Sequence, residues 1–271
     1  MLKERLLTAL LLAPLFVLSI IYLPSHLFAL LVGVFVVLAA WEWSGLLGVD
    51  SSRVRTSYVV CVFLLAVPLY LQPGVTIVLA FGLGWWLFVI YQLVAGVGRR
   101  WSLLYRVLSG LIVLVTGWYA VYSLHYDTGG PRLLLIFFAL IWAADIGAYF
   151  VGRAWGKRRL APNISPGKTV EGVIGGLVSV GSVSICAGIL FLNLRGMGWL
   201  EWLSLCAATA IASVVGDLFE SQLKRVAGVK DSGSLLPGHG GVLDRIDGVT
   251  ASAPVFALGW WWLLGPEALQ T

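Results

Sequence analysis

Charge is the scarcest commodity in this sequence. Asp, Glu, Lys and Arg make up 11% of its 271 residues, against about a quarter in an ordinary water-soluble domain. With 59% hydrophobic residues and a mean hydropathy of +0.94, the chain cannot clothe a water-facing surface, which excludes a soluble globular enzyme. Histidine and cysteine are nearly as rare, at three each. Cys61, Cys186 and Cys206 all fall inside apolar runs and form no C-x-x-C pair, which excludes a disulfide framework and a thiolate zinc site. A P-loop is missing too, since G-x-x-x-x-G-K-[ST] occurs nowhere. The net charge of +5 resides in short loops between apolar runs, so it answers to an anionic lipid surface and not to nucleic acid.

What the sequence has instead is apolar runs of about 20 residues, enough to cross a hydrocarbon layer roughly 30 Å thick. Nine are expected, at about 6–23, 26–48, 57–71, 74–95, 103–124, 132–152, 170–194, 199–219 and 248–265. No small-x-small cleavage site follows the first run, so it is read as a retained helix and not a signal peptide. The fold class is therefore all-α, a polytopic integral membrane protein. Of the 18 basic residues, 16 fall at the N-terminus and in alternate connections, leaving only Arg132 and Arg195 opposite. The positive-inside rule then places the N-terminus in the cytoplasm and the C-terminus outside.

Polar chemistry is unevenly distributed. Residues 1–130 carry five spans with short connections and read as a scaffold, while 131–271 read as a catalytic region with two cytoplasmic loops, at about 153–169 and 220–247. Most of the thirteen acidic residues sit at span ends, but Glu42, Asp145 and Glu171 lie within spans. A charge there costs roughly 2.5–3.5 kcal/mol on insertion scales, so such a residue faces the bundle interior or a wet cavity. Asp145, beside Tyr149 and a glycine-rich exit, is a functional candidate. Glu42, between Trp41 and Trp43, is read equally as an interfacial charge or a partner for a loop arginine.

The densest polar stretch runs from Ser221 to Asp247. If the eighth span continues as helix to Val226, Asp217, Ser221, Lys224 and Arg225 fall at i, i+4, i+7 and i+8, lining one face. Asp244 and Asp247, three apart, share a face if that stretch is helical as well. Carboxylates without His or Cys company suit a hard, oxygen-seeking cation such as Mg²⁺. Pro237-Gly238-His239-Gly240-Gly241 would let backbone N–H groups approach a phosphate oxygen, because no Cβ intervenes. Ser165-Pro166-Gly167-Lys168-Thr169, then Glu171, adds a hydroxyl, a cation and a glycine from the other loop. Ion pairing among Lys224, Arg225, Lys230, Arg245 and these acids, with no metal, stays open as the alternative.

The 27 residues S-Q-L-K-R-V-A-G-V-K-D-S-G-S-L-L-P-G-H-G-G-V-L-D-R-I-D match the signature S-x-x-K-R-x4-K-D…P-x-H-G-G-x-x-D-R-x-D, and so the chain resembles the phosphatidate cytidylyltransferase (CDP-diacylglycerol synthase) family. D-I-G-A-Y-F-V-G-R from Asp145 and I-S-P-G-K-T-V-E-G from Ile164 look like that family too. The resemblance implies transfer of CMP from CTP to phosphatidic acid, giving CDP-diacylglycerol and pyrophosphate, with Mg²⁺ required and homodimers formed in the cytoplasmic membrane. On that reading Asp217, Asp244 and Asp247 hold one or two divalent ions, and Lys224 and Arg225 orient the phosphatidate or the α-phosphate. Lys230, Arg245 and the Gly240–Gly241 backbone receive the leaving pyrophosphate. Ser165 and Lys168 close the pocket, Ser221 and Asp145 line it, and His239 is the one candidate base.

Two other readings remain. A related transferase, such as a CTP-dependent lipid kinase or another CDP-lipid synthase, would share these motifs. An ion-coupled transporter would spread its acids along several spans at mid-depth, whereas these gather at one mouth beside glycines and cations.

Overall fold

The structure is a computed structural model that describes residues 13–49, 51–72, 76–96, 101–235, 240–265 and 268–269. Among them nine α-helices follow in order. They are α1 (Ala13–Tyr22), α2 (Ser25–Leu46), α3 (Ser52–Leu71), α4 (Thr76–Val94), α5 (Leu103–Tyr126), α6 (Gly130–Trp155), α7 (Val170–Phe191), α8 (Met197–Val226) and α9 (Leu243–Gly259), the last continuing into a π-helical turn at Trp260–Leu264. The helices α2 to α8 are each long and apolar enough to cross a membrane. A two-stranded antiparallel hairpin, β1 (Arg159–Ala161) and β2 (Ser165–Thr169), joins α6 to α7.

Every expected apolar run thus has a helix, but the connections differ from expectation. The helix α8 extends to Val226 and α9 opens at Leu243, so the polar connection between them is shorter than the expected 220–247. Side-chain pairs one turn apart, Asp217 with Ser221 and Glu220 with Lys224, support the extra turns of α8. The 153–169 connection is also ordered, because Glu171 accepts hydrogen bonds from the N–H groups of Lys157 and Arg158 and so fastens the hairpin to the start of α7.

The helix α5 forms the hub and is mostly buried, whereas α3 is mostly exposed and lies at the periphery. Two helix pairs carry the polar region, α6 against α7 and α8 against α9. Small residues allow the closeness: a Cβ at Gly176 would stand 2.9 Å from the Ala144 carbonyl oxygen. Without a hydrophobic force to drive helices together in lipid, such backbone-level contact supplies the dispersion and polar attraction that holds them. Some polar side chains inside the bundle find backbone acceptors, as in Trp118 Nε1 to Ala29 O at 3.0 Å and Trp202 Nε1 to Ser184 O at 2.8 Å.

Contacts sort the bundle into two ends. At one, Glu42, the hairpin, the C-terminal turns of α8 and the first turn of α9 meet. At the other, Trp261 donates to Asp127 and His125 pairs with Ser25.

Candidate active site

The last three turns of α8 are pinned by an aromatic cluster. Phe219 is 1% exposed and its ring lies against Trp43 of α2, Trp86 of α4 and Trp101 just before α5. With Phe219 turned inward, Asp217 and Ser221 face the α7 side and Glu220 and Lys224 face α9. Ser221 Oγ donates to Asp217 Oδ1 at 3.2 Å, as the i, i+4 spacing predicts. The Lys224 ammonium lies between two carboxylates, Glu220 of its own helix and Asp244 Oδ1 of α9 at 2.6 Å. Glu220 is 2% exposed, and its Oε1 has no hydrogen-bond partner among the described residues. Arg225, expected on the same face, reaches elsewhere: it donates to the carbonyls of Ile164 and Val229.

Asp244 sits in the first turn of α9 with both oxygens engaged. Oδ1 takes Lys224, and Oδ2 accepts from Gly241 N–H at 2.8 Å and Ser232 N–H at 3.1 Å. Asp244 precedes the apolar run that opens at Gly248. Burial alone would raise its pKa, but the Lys224 ammonium and the Gly241 N–H outweigh burial and hold the carboxyl down at about 2. The two glycines expected to cradle a ligand phosphate here approach the protein's own carboxylates. Gly240 adopts φ 82°, a conformation that favours glycine, and a Cβ there would meet Asp244 Oδ2 at 2.8 Å. A Cβ at Gly241 would strike Ser232 and Glu42.

Glu42 is the residue the sequence placed least well. It is 5% exposed and accepts hydrogen bonds from Ser232 Oγ at 3.1 Å, Val242 N at 3.0 Å and Leu243 N at 2.8 Å. It therefore caps the start of α9 from another helix, a role neither of its two sequence readings contained.

A cavity of about 650 Å³ opens between α6, α7, α8 and the hairpin. Asp145, Lys168 and Asp217 lie on its polar side, while Ala148, Leu177 and Ile211 give it an apolar wall. Lys168 Nζ contacts Asp217 Oδ2 at 2.6 Å. Asp145 is within electrostatic reach of Asp217, Lys168 and Arg245. Asp247, one turn further along α9 than Asp244, is within electrostatic reach of Asp217, Lys168 and Lys224. Gly216 makes this approach possible: its missing side chain leaves room for the Asp247 carbonyl, which a Cβ would strike.

The expected residues thus divide. Asp145, Lys168 and Asp217 line the cavity, Ser221 and Asp247 lie behind Asp217, and Lys224 with Asp244 forms an adjoining ion-paired group. Ser165 opens β2 opposite Ala161, and Lys230 and Arg245 are exposed. His239, Pro237 and Gly238 lie outside the described residues. The pairing that sequence left open as an alternative is present at Lys224, and Lys168, outside that set, pairs with Asp217 as well. Among the described residues, no group of three or more acidic, histidine or cysteine side chains stands together as a metal site. Glu220 escaped sequence reasoning, although its i, i+4 spacing to Lys224 was a usable signal.

Similarity to known proteins identifies the family. Residues 3–262 match the model of the cytidylyltransferase family. The chain is 43% identical over 268 residues to a Pseudomonas aeruginosa phosphatidate cytidylyltransferase, covering 96% of this chain and 97% of that one. It is 36% identical over 293 aligned positions to the Haemophilus influenzae protein of that name, covering 97% and 100%. A Thermotoga maritima protein of the same name is 42% identical over 135 residues, covering 49% of this chain and 50% of its own. The match to the family spans nearly the whole membrane bundle and both polar connections, and so the chain belongs to the cytidylyltransferase family.

Proposed function

We propose that the cavity between α6, α7 and α8 is where this nucleotidyltransferase, a phosphatidate cytidylyltransferase by homology along nearly its full length, joins CTP to phosphatidic acid. A phosphate oxygen of phosphatidate forms the new bond to the α-phosphorus of CTP, the α–β phosphoanhydride bond breaks, and CDP-diacylglycerol and pyrophosphate leave. The attacking oxygen is already ionised at neutral pH, so no general base is required of the protein. The protein's work is to position two polyanions and offset their repulsion.

The observation that carries this reading is the meeting of Lys168, Asp217 and Asp247 beside a half-apolar cavity. Asp217 and Asp247 repel each other across the α8–α9 contact, and a divalent cation is the natural counterion for such a pair. Their donors are all oxygen, and Mg²⁺ favours one or two carboxylates completed by substrate phosphates and water. Asp217 and Asp247 would hold the ion, and Asp244 would join them only by releasing Lys224. When bound, Mg²⁺ neutralises charge on the CTP phosphates as the leaving group departs. Lys168 holds Asp217 in place and presents its charge to the cavity, while Lys224 holds Asp244 in place from α8. Lys230 and Arg245, exposed at the same end, would receive the pyrophosphate.

The polar end of the bundle is assigned to the cytoplasm because CTP is made there and the basic loops collect there. A homodimer, implied by the family resemblance, belongs to the same reading. The test is conversion of labelled CTP and phosphatidate by the purified chain in detergent with Mg²⁺. Equimolar CDP-diacylglycerol and pyrophosphate are expected; no turnover on phosphatidate, with turnover on another lipid phosphate, would assign the chain to a related CDP-lipid synthase.

A further inference from the structure

Three cations line the cavity, Lys168, Arg153 and Arg159, and Lys168 pairs with Asp217. Close by, Arg158 pairs with Glu171, and Lys224 with Glu220 and Asp244. The other two cations of the lining differ. Arg153 and Arg159 are exposed, both border the cavity, and no carboxylate among the described residues pairs with either.

The fold brings both to the cavity, and the Arg153 side chain is held there. Arg153, in the last turn of α6, donates from Nη1 to the Tyr149 hydroxyl at 2.7 Å and lies over the Tyr149 ring, 5.9 Å from its centroid. A phenol is neutral, so it orients the guanidinium without cancelling its charge. Arg159 comes from the hairpin, where strand register sets it opposite Thr169, the neighbour of Lys168. The hairpin thereby brings Arg159 to the same corner as the Lys168–Asp217 pair.

An apolar track leads to this corner. Along the outer face of α6, Trp142, Ile146, Tyr149 and Phe150 are 41%, 58%, 57% and 64% exposed. Their spacing makes one stripe, which ends at Arg153 about 16 Å along the axis from Trp142. In a membrane helix, exposed side chains of this kind face acyl chains.

We infer that Arg153 and Arg159 form the subsite for the acceptor, a phosphate monoester carried on a diacyl lipid. The phosphate lies between the two guanidiniums, the acyl chains follow the α6 stripe, and Tyr149 is the positioning residue for Arg153. Guanidinium forks match the oxygens of a phosphate monoester, and the apolar track is of no use to CTP. The inference rests on the cytidylyl-transfer reading and divides its cations: these arginines serve the lipid, while Lys224, to which the family resemblance had given that task, is held by Glu220 and Asp244.

The test uses the full chain in neutral detergent micelles, where an anionic lipid surface makes no contribution, and measures KM separately for CTP and for phosphatidate at a controlled mole fraction. In the R153Q/R159Q double variant the phosphatidate KM is expected to rise about tenfold or more, with the CTP KM changed by less than about twofold. Tyr149→Phe should give a smaller rise, again confined to phosphatidate. An equal rise for both substrates would assign the arginines to the triphosphate and overturn the inference, as would no change in either. Should the glutamine variants fail to fold, Arg153→Lys and Arg159→Lys keep the charge but lose the fork; a phosphatidate-specific defect then supports the subsite, and unaltered kinetics overturns it. Failure of the unmodified chain to use phosphatidate would be distinct, since it removes the cytidylyl-transfer reading before any variant is made.

Discussion

The Glu42 carboxylate, near the end of α2, accepts a hydrogen bond at 2.8 Å from the N–H of Leu243, the first residue of α9, across 201 positions of chain. The same carboxylate takes the N–H of Val242 and the hydroxyl of Ser232. A helix otherwise lacking a side-chain cap is thus closed by a charge from another span, and the turn that bears Asp244 is fixed by it. Glu42→Ala should lower stability by about 1–3 kcal/mol, because buried donors lose their acceptor, and turnover should fall with it. Glu42→Gln keeps an oxygen acceptor and should lose less; thermal unfolding in detergent, compared between the two variants, checks the order.

Among the described residues Lys224 is the cation that pairs with both Glu220 and Asp244, so its loss leaves two buried carboxyl groups without their counterion. Lys224→Met should destabilise the chain by about 3–5 kcal/mol, the usual cost of breaking a buried pair from one side. Adding Glu220→Gln removes one of the stranded charges and should restore part of the lost stability while turnover stays low. Unfolding temperatures of the single and double variants decide this.

Asp217→Asn and Asp247→Asn should each reduce turnover at least about a hundredfold if they hold the divalent ion, and raise the Mg²⁺ concentration needed for half-maximal rate. Folding should survive, because Asp217 is partly exposed and its main partners are Lys168 and Ser221. A magnesium titration of each variant is the measurement, and an unshifted midpoint would take that residue out of the ion site.

Gly216 carries no function of its own, yet a side chain there should cost activity. A Cβ would strike the Asp247 carbonyl and stand 2.9 Å from the Ala251 side chain. Gly216→Val should therefore push α9 off α8, at a cost of about 1–3 kcal/mol, and separate Asp247 from Asp217. Turnover should drop more than unfolding temperature does, and Ala251→Gly should not rescue it, because the backbone clash persists.

The assignment of sidedness makes a simple prediction. A cysteine placed at exposed Lys230 should be labelled by a membrane-impermeant maleimide only after intact cells are opened. Labelling in unopened cells would put the polar end outside and contradict access to cytoplasmic CTP.

Much of this architecture was legible along the chain. Runs of some 20 apolar residues become helices, because a helix satisfies every backbone group within its own segment. The eighth span was expected to end near 219, but once its helix continues to Val226 the hydroxyl-to-carboxylate pair of Ser221 and Asp217 follows from spacing. The signature between Ser221 and Asp247 carried the family. These are local properties, fixed by lipid solubility and helical period.

Only the tertiary structure decided which partner each polar group takes. Helical period placed Arg225 beside Lys224, but it could not show that Arg225 turns to the Ile164 carbonyl while Lys224 crosses to α9. Nor could it show that Glu42, from the half read as scaffold, would cap α9, or that Gly241 would direct its N–H at Asp244. In a low-dielectric interior a charge settles wherever the fold brings an answering group within hydrogen-bond reach, and that proximity depends on helix packing at Gly216 and Gly176, not on position in sequence.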